Sequence, residues 1–182
     1  NQGEREEKEN DNKIKTVLDE EFTQGYAVGF TSLVKFINDL LPRNEVIGDS
    51  LREEVRMYPQ LAIRELVANS IIHQDFSISG TATLIEIYSD RIEFSNPGEP
   101  LIDPIRFIDE YRSRNEKMAS IMRRLKICEE KGSGIDKVIF QCEVYQLPAP
   151  YFVSNAVHTK VILYAYKQLR EMDKDDKIRA VY

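Results

Sequence analysis

The chain has 182 residues, 42% hydrophobic and 31% charged, enough to bury one substantial core. Its 31 acidic residues outnumber 25 basic ones, and a net charge of -6 excludes affinity for nucleic acid through general phosphate neutralisation, leaving only a local basic patch to consider. No apolar run approaches the length of a bilayer span and no charged-then-apolar leader opens the sequence, so a cytoplasmic protein with no membrane partner is expected.

The first thirteen residues, NQGEREEKENDNK, hold no apolar side chain and cannot offset their ordering entropy by burial. They read as a linker or arm, 1–13. The main domain is expected over 14–168. The tail, 169–182, reads as a linker and the first residues of a further segment, so that both ends suggest a piece of a longer protein.

FTSLVKFINDLLP places Phe30, Leu33, Val34, Phe36, Ile37, Leu40 and Leu41 at helical spacing and stops at Pro42, which predicts an amphipathic helix. EVIGDSLREEVRMYP alternates on both sides of Gly48-Asp49-Ser50, the pattern of a hairpin. Pro59 then opens a helix over 60–73 from the position where proline is tolerated. TATLIEIYSDRIEFSNPGEP predicts a second hairpin turning at Ser89-Asp90 and closed by Asn96-Pro97-Gly98. PIRFIDEYR, NEKMASIMRRLKI and GIDKVIFQCEVYQL follow as helical segments, and YFVSNAVHTKVILYAY ends the domain with strand-like alternation. The order predicts an α+β fold, a two-layer α/β sandwich with helices on one face of a mixed or antiparallel sheet. Cys128 and Cys142 with His73 and His158 offer no tetrahedral zinc spacing, and free thiols are expected.

The helix at 60–73 carries an anomaly. At about 100° per residue, Glu65, Asn69 and His73 fall on one narrow stripe, bordered by Leu61 and Ile72 on one side and by Ala62 and Leu66 on the other. Polar residues four apart are most often a solvated face. A helix apolar nearly all round is instead buried, and the stripe then faces a cavity or ligand. A carboxylate and an amide one turn apart suit nucleoside triphosphate chemistry: Glu65 as the base that activates a water, Asn69 as one oxygen ligand of a magnesium ion that takes its others from phosphate and water.

Two glycine turns follow. In SNPGEP, Gly98 permits close backbone approach to a ring or phosphate and Asn96 offers an amide to a base edge. In KGSGIDKV, Gly132 and Gly134 precede a helix whose first N–H groups form an anion site. Among the basic residues at 112–126, most are expected on solvated faces, with Arg114 the one placed to reach phosphates.

YPQLAIRELVANSIIHQDFS, DRIEFSNPGEP and SRNEKMASIMRRLKICEEKGSGIDKV together resemble the C-terminal domain of RecG-like transcriptional regulators, a divergent branch of the GHKL ATPases that include gyrase, sensor histidine kinases and MutL. The resemblance implies a Bergerat-type sandwich, with Glu65 and Asn69 as the base and magnesium ligand of the E-x-x-x-N box. It also implies Asn96 and Gly98 as the adenine-side box and Gly132 and Gly134 as the phosphate lid. Asn96 stands where that box carries aspartate, which weakens the contact that selects adenine. ATP and Mg2+ are the implied cofactors. DNA would be reached through flanking domains, and a homo-oligomer is expected. The rival expectation is a non-catalytic dimerisation scaffold whose cleft is plugged by Phe76, Ile135 or the Glu99 carboxylate.

Overall fold

The computed structural model describes residues 18–47, 52–107, 110–128 and 132–166, together with Arg170, Met172, Lys174, Lys177 and Ile178. The expected arm at 1–13 and the hairpin turn at 48–50 lie outside the described residues.

Helix α1 spans Tyr26–Leu40 and so starts four residues before the predicted Phe30. Gly25 at φ 77 sets the entry, and the Gly29 amide donates to the Gly25 carbonyl at 2.8 Å in the first turn. Strands β1 (Arg43–Ile47) and β2 (Arg52–Arg56) pair antiparallel as a separate two-stranded sheet. Helix α2 spans Gln60–Ile72 behind Pro59, and nine of its residues are buried, in keeping with its apolar circumference.

Strands β3 (Leu84–Ile87) and β4 (Arg91–Pro97) form the second hairpin, closed by the Tyr88 amide on the Arg91 carbonyl at 2.9 Å. With β5 (Tyr151–Ser154) and β6 (His158–Tyr164) they build a four-stranded sheet of order β3-β4-β6-β5. Every pairing described in it is antiparallel, which settles the mixed-or-antiparallel alternative. Ile92 opposite Leu163 and Phe94 opposite Val161 share one face, and these residues cluster with Ala62, Leu66 and Ile71 of α2. Ala119 and Met122 of α3 (Glu116–Arg124) join them, as do Val138 and Cys142 of α4 (Gly134–Val144). The opposite face carries ion pairs instead: Glu93, nearly buried, takes Arg91 Nε at 2.6 Å and Lys160.

The predicted helix at 104–112 is present in part. Among the described residues of that segment, Pro104–Arg106 forms a 3-10 turn, its Ile105 amide capped by Asp103 Oδ1 at 3.0 Å, and 110–112 are not helical, although the Glu110 amide still donates to the Arg106 carbonyl at 2.8 Å; 108–109 lie outside the described residues. Phe107, at the end of the turn, meets Phe152 edge-on at 5.3 Å, and Tyr111 and Arg112 line the cleft beside it. Helices α3 and α4 end through Lys126 (φ 57) and Gln146 (φ 56), where Ile127 and Leu147 donate back to Met122 and Cys142 carbonyls at 2.9 and 2.8 Å. Such six-to-one closures normally use glycine, whose absence hides both ends from the sequence.

Candidate functional site

Helix α2 lays its polar stripe along one wall of a cleft. Glu65, Asn69 and His73 all line it, with Leu66 and Ile72 beside them. Gly132, just ahead of α4, and Gly134 and Ile135 in its first turn line the cleft next to Glu65, and the sheet contributes Asn96 on β4 with its register partner Thr159, and Val161 on β6. The cleft has a volume of about 110 Å³ and is open to solvent.

The two ends of the cleft differ in chemistry. Phe107 and Phe152 meet edge-on at 5.3 Å and, with Val161, the register partner of Phe152, form an apolar part of the lining against which a planar ring can stack. The other end is polar. The Arg123 guanidinium donates to Tyr111 Oη at 3.3 Å, a methyl on Gly132 would lie 3.8 Å from Tyr111 Cβ, and the His73 ring meets Tyr111 edge-on at 6.1 Å. Burial, with the nearby Arg114 charge, pushes the His73 imidazole down to about 4, so it is neutral at pH 7. Cys128 also lines this end, and burial followed by the Glu65 charge raises its thiol.

Six of the seven residues selected from sequence meet here: Glu65, Asn69, Asn96, Arg114, Gly132 and Gly134. Gly98 does not line the cleft. At φ 108 it sits where an added methyl would come 2.8 Å from Asp75 Cβ. Its amide donates to the Val157 carbonyl at 2.7 Å and its carbonyl accepts from Thr159 Oγ1 at 2.7 Å, so its role in the structure is to let the turn close.

Arg114 has two partners that sequence does not reveal. It pairs with Asp75 and donates to the Glu99 carbonyl at 2.7 Å, which fastens the turn after β4 to the end of α2. Asn115 extends the same clamp by donating to the carbonyls of Ile72 and Gln74 at 2.8 and 2.7 Å. Arg112 and Arg123, expected on solvated faces, line the cleft instead. Arg123 carried some signal, since it falls one turn after Ala119 on the buried side of the helix; Arg112 had none.

Glu65 is nearly fully buried, and its carboxylate lies against the first turn of α4: a methyl added to Gly134 would touch Oε1 and come 2.8 Å from Cδ. Of the three side chains that would plug the cleft, Phe76 is exposed outside it, whereas Ile135 and Glu99 belong to its wall. Among the described residues no cluster of three or more His, Cys, Asp or Glu is placed to hold a metal, and no helix is long and apolar enough to cross a membrane.

Residues 80–163 match the family described as "Putative ATP-dependent DNA helicase recG C-terminal". The matched segment contains Asn96, Gly98, Arg114, Gly132 and Gly134, while Glu65 and Asn69 precede it. Among curated proteins nothing matches. Among solved structures the chain is similar to the DIP2311 protein of Corynebacterium diphtheriae, with TM-score 0.68 and 21% identity over 78% of this chain, a likeness of fold. The chain spans 30% of that protein's length.

Proposed function

We propose, for a chain that carries the RecG C-terminal ATPase-like domain over residues 80–163, that its cleft binds an adenine nucleotide, ATP with magnesium, as one module of a larger DNA-associated transcriptional regulator. Hydrolysis is slow or absent. The observation that carries this reading is the convergence of α2's polar stripe, Asn96 of β4 and α4's glycine turn, from three separate stretches of sequence, on a single cleft.

The residues present suit the ligand. The Phe107–Phe152 end takes the base, Asn96 contributes hydrogen bonding to its edge, and Arg112, Arg123 and the Gly132–Gly134 turn take the phosphates. Asn69 is the oxygen donor for magnesium, and a hard ion that draws most of its shell from phosphate and water needs no three-carboxylate cage. When bound, the metal would offset phosphate charge. Slow turnover follows from Glu65, whose carboxylate is engaged at α4 instead of standing free to orient a water. The open wall formed by Ile135 and Glu99 favours a ligand site over a plugged scaffold. DNA contact belongs to flanking domains.

Calorimetric titration of ATP with magnesium into the wild-type chain and Asn69→Ala tests the reading. Binding by the wild type and a loss of its magnesium-dependent component in Asn69→Ala are expected. Absence of binding, or equal binding by both with and without magnesium, refutes it.

A further inference from the structure

The end of the cleft assigned to phosphate already holds a carboxyl side chain. Helix α4 begins at Gly134, and the partial positive charge of its first-turn N–H groups is the feature that draws a phosphate to such a turn. Glu65 reaches that turn from α2. Its carboxylate, 5% exposed, occupies the room that a methyl on Gly134 would fill, with Cδ 2.8 Å and Cγ 3.2 Å from that point. Asp136 adds a second carboxylate to the same first turn.

Glu65, Glu99 and Glu110 line the cleft together with Arg112, Arg114 and Arg123; Arg114 is paired with Asp75 and Glu110 with Arg106. His73 is neutral at pH 7. Arg112 and Arg123 are the guanidiniums left to meet a ligand's phosphates, and a third phosphate extended toward α4 meets the buried Glu65 side chain.

We infer that Glu65 sets the phosphate number of the ligand: in the absence of magnesium the cleft holds a nucleoside diphosphate in preference to a triphosphate, because Glu65 fills the position at α4 that the terminal phosphate would take. The inference rests on the nucleotide-binding reading above and adds the selectivity to it. Glu65 acts here as a specificity residue through charge and occupancy, and its effect is removed by any change that withdraws its negative charge from Gly134. A role confined to packing would leave the diphosphate-to-triphosphate ratio where it was.

The test is a pair of titrations with ADP and ATP in a magnesium chelator, on the wild-type chain, Glu65→Gln and Glu65→Asp, each checked for cooperative thermal unfolding. Glutamine removes the charge at nearly constant shape, and aspartate draws it back by one methylene, so either variant alone serves if the other does not fold. The wild type is expected to bind ADP about tenfold or more tightly than ATP, and the folded variants to bring the two affinities within about threefold. ATP binding as tight as ADP in the wild type overturns the inference, as does an unchanged ratio in the folded variants. If neither nucleotide binds the wild type with or without magnesium, the functional reading falls, and the inference with it, an outcome distinct from the other two.

Discussion

Replacing Gly98 with alanine separates a structural glycine from a ligand-contact glycine. The residue sits at φ 108, where side-chain-bearing residues are strained, and the new methyl would lie 2.8 Å from Asp75 Cβ and 3.4 Å from the Asp75 amide nitrogen. Neither neighbour yields easily: Cβ follows the backbone, and the amide donates to the Pro97 carbonyl at 2.8 Å. Backbone strain of about 1–2 kcal/mol and overpacking of about 1–3 kcal/mol combine to roughly 3 kcal/mol. For a domain of this size each kcal/mol moves Tm by about 2–4 °C, so a fall of about 6–12 °C is expected. Urea unfolding of Gly98→Ala should show a lower midpoint at unchanged slope. A loss under about 1 kcal/mol accompanied by weaker nucleotide binding would refute the argument and return Gly98 to the binding surface.

Three further outcomes follow. The unfolded chain's His73 takes a proton below about pH 6.5, whereas the buried ring waits until about 4; stability is therefore complete above the first value and falls as pH drops toward the second, by at most about 3 kcal/mol. Urea unfolding of His73→Gln between pH 7 and pH 4 should lack that share of the decline, and an identical pH dependence contradicts it. Burial pushes the Cys142 thiol up to about 12 and raises that of Cys128 as well, so iodoacetamide should spare Cys142 in the folded chain and label Cys128 slowly, more slowly still with nucleotide in the cleft; labelling of Cys128 unaffected by a saturating nucleotide counts against the site. At net charge -6 the chain should bind duplex DNA no more than weakly and lose it with added salt; tight, sequence-selective binding by this chain alone would make Arg112, Arg123, Arg124 and Lys126 a contact surface.

The elements with a sustained period were legible. The alternation at 84–87 and 91–97 and the all-round apolarity of α2 fix strand, helix and burial from local sequence. The placement of Glu65, Asn69 and His73 on one cleft wall follows from helix geometry alone. What stayed hidden depends on distant segments. Nothing near Pro104 announces that Phe107 will meet Phe152, and nothing near Arg114 announces Asp75. The positive φ at Lys126 and Gln146 shows the same limit, because neither residue advertises a helix end.

The clamp made by Arg114 and Asn115 constrains where the cleft can change shape. Asp75, the Glu99 carbonyl and the carbonyls of Ile72 and Gln74 are tied to one dipeptide, so the end of α2, the turn after β4 and the start of α3 are held as a unit. Strand β4 is in turn paired along its length with β6. The cleft volume of about 110 Å³ is less than the roughly 150 Å³ that accommodates a benzene ring, so a nucleotide bound as proposed would extend into the open mouth or displace a wall. The contact between Glu65 and the first turn of α4 lies outside that clamp. Under the proposed reading a terminal phosphate directed at α4 would have to displace the Glu65 side chain from Gly134. While that contact persists Glu65 is held away from the position of a water-orienting base, which joins the proposed slow turnover and the proposed preference for the diphosphate in one contact.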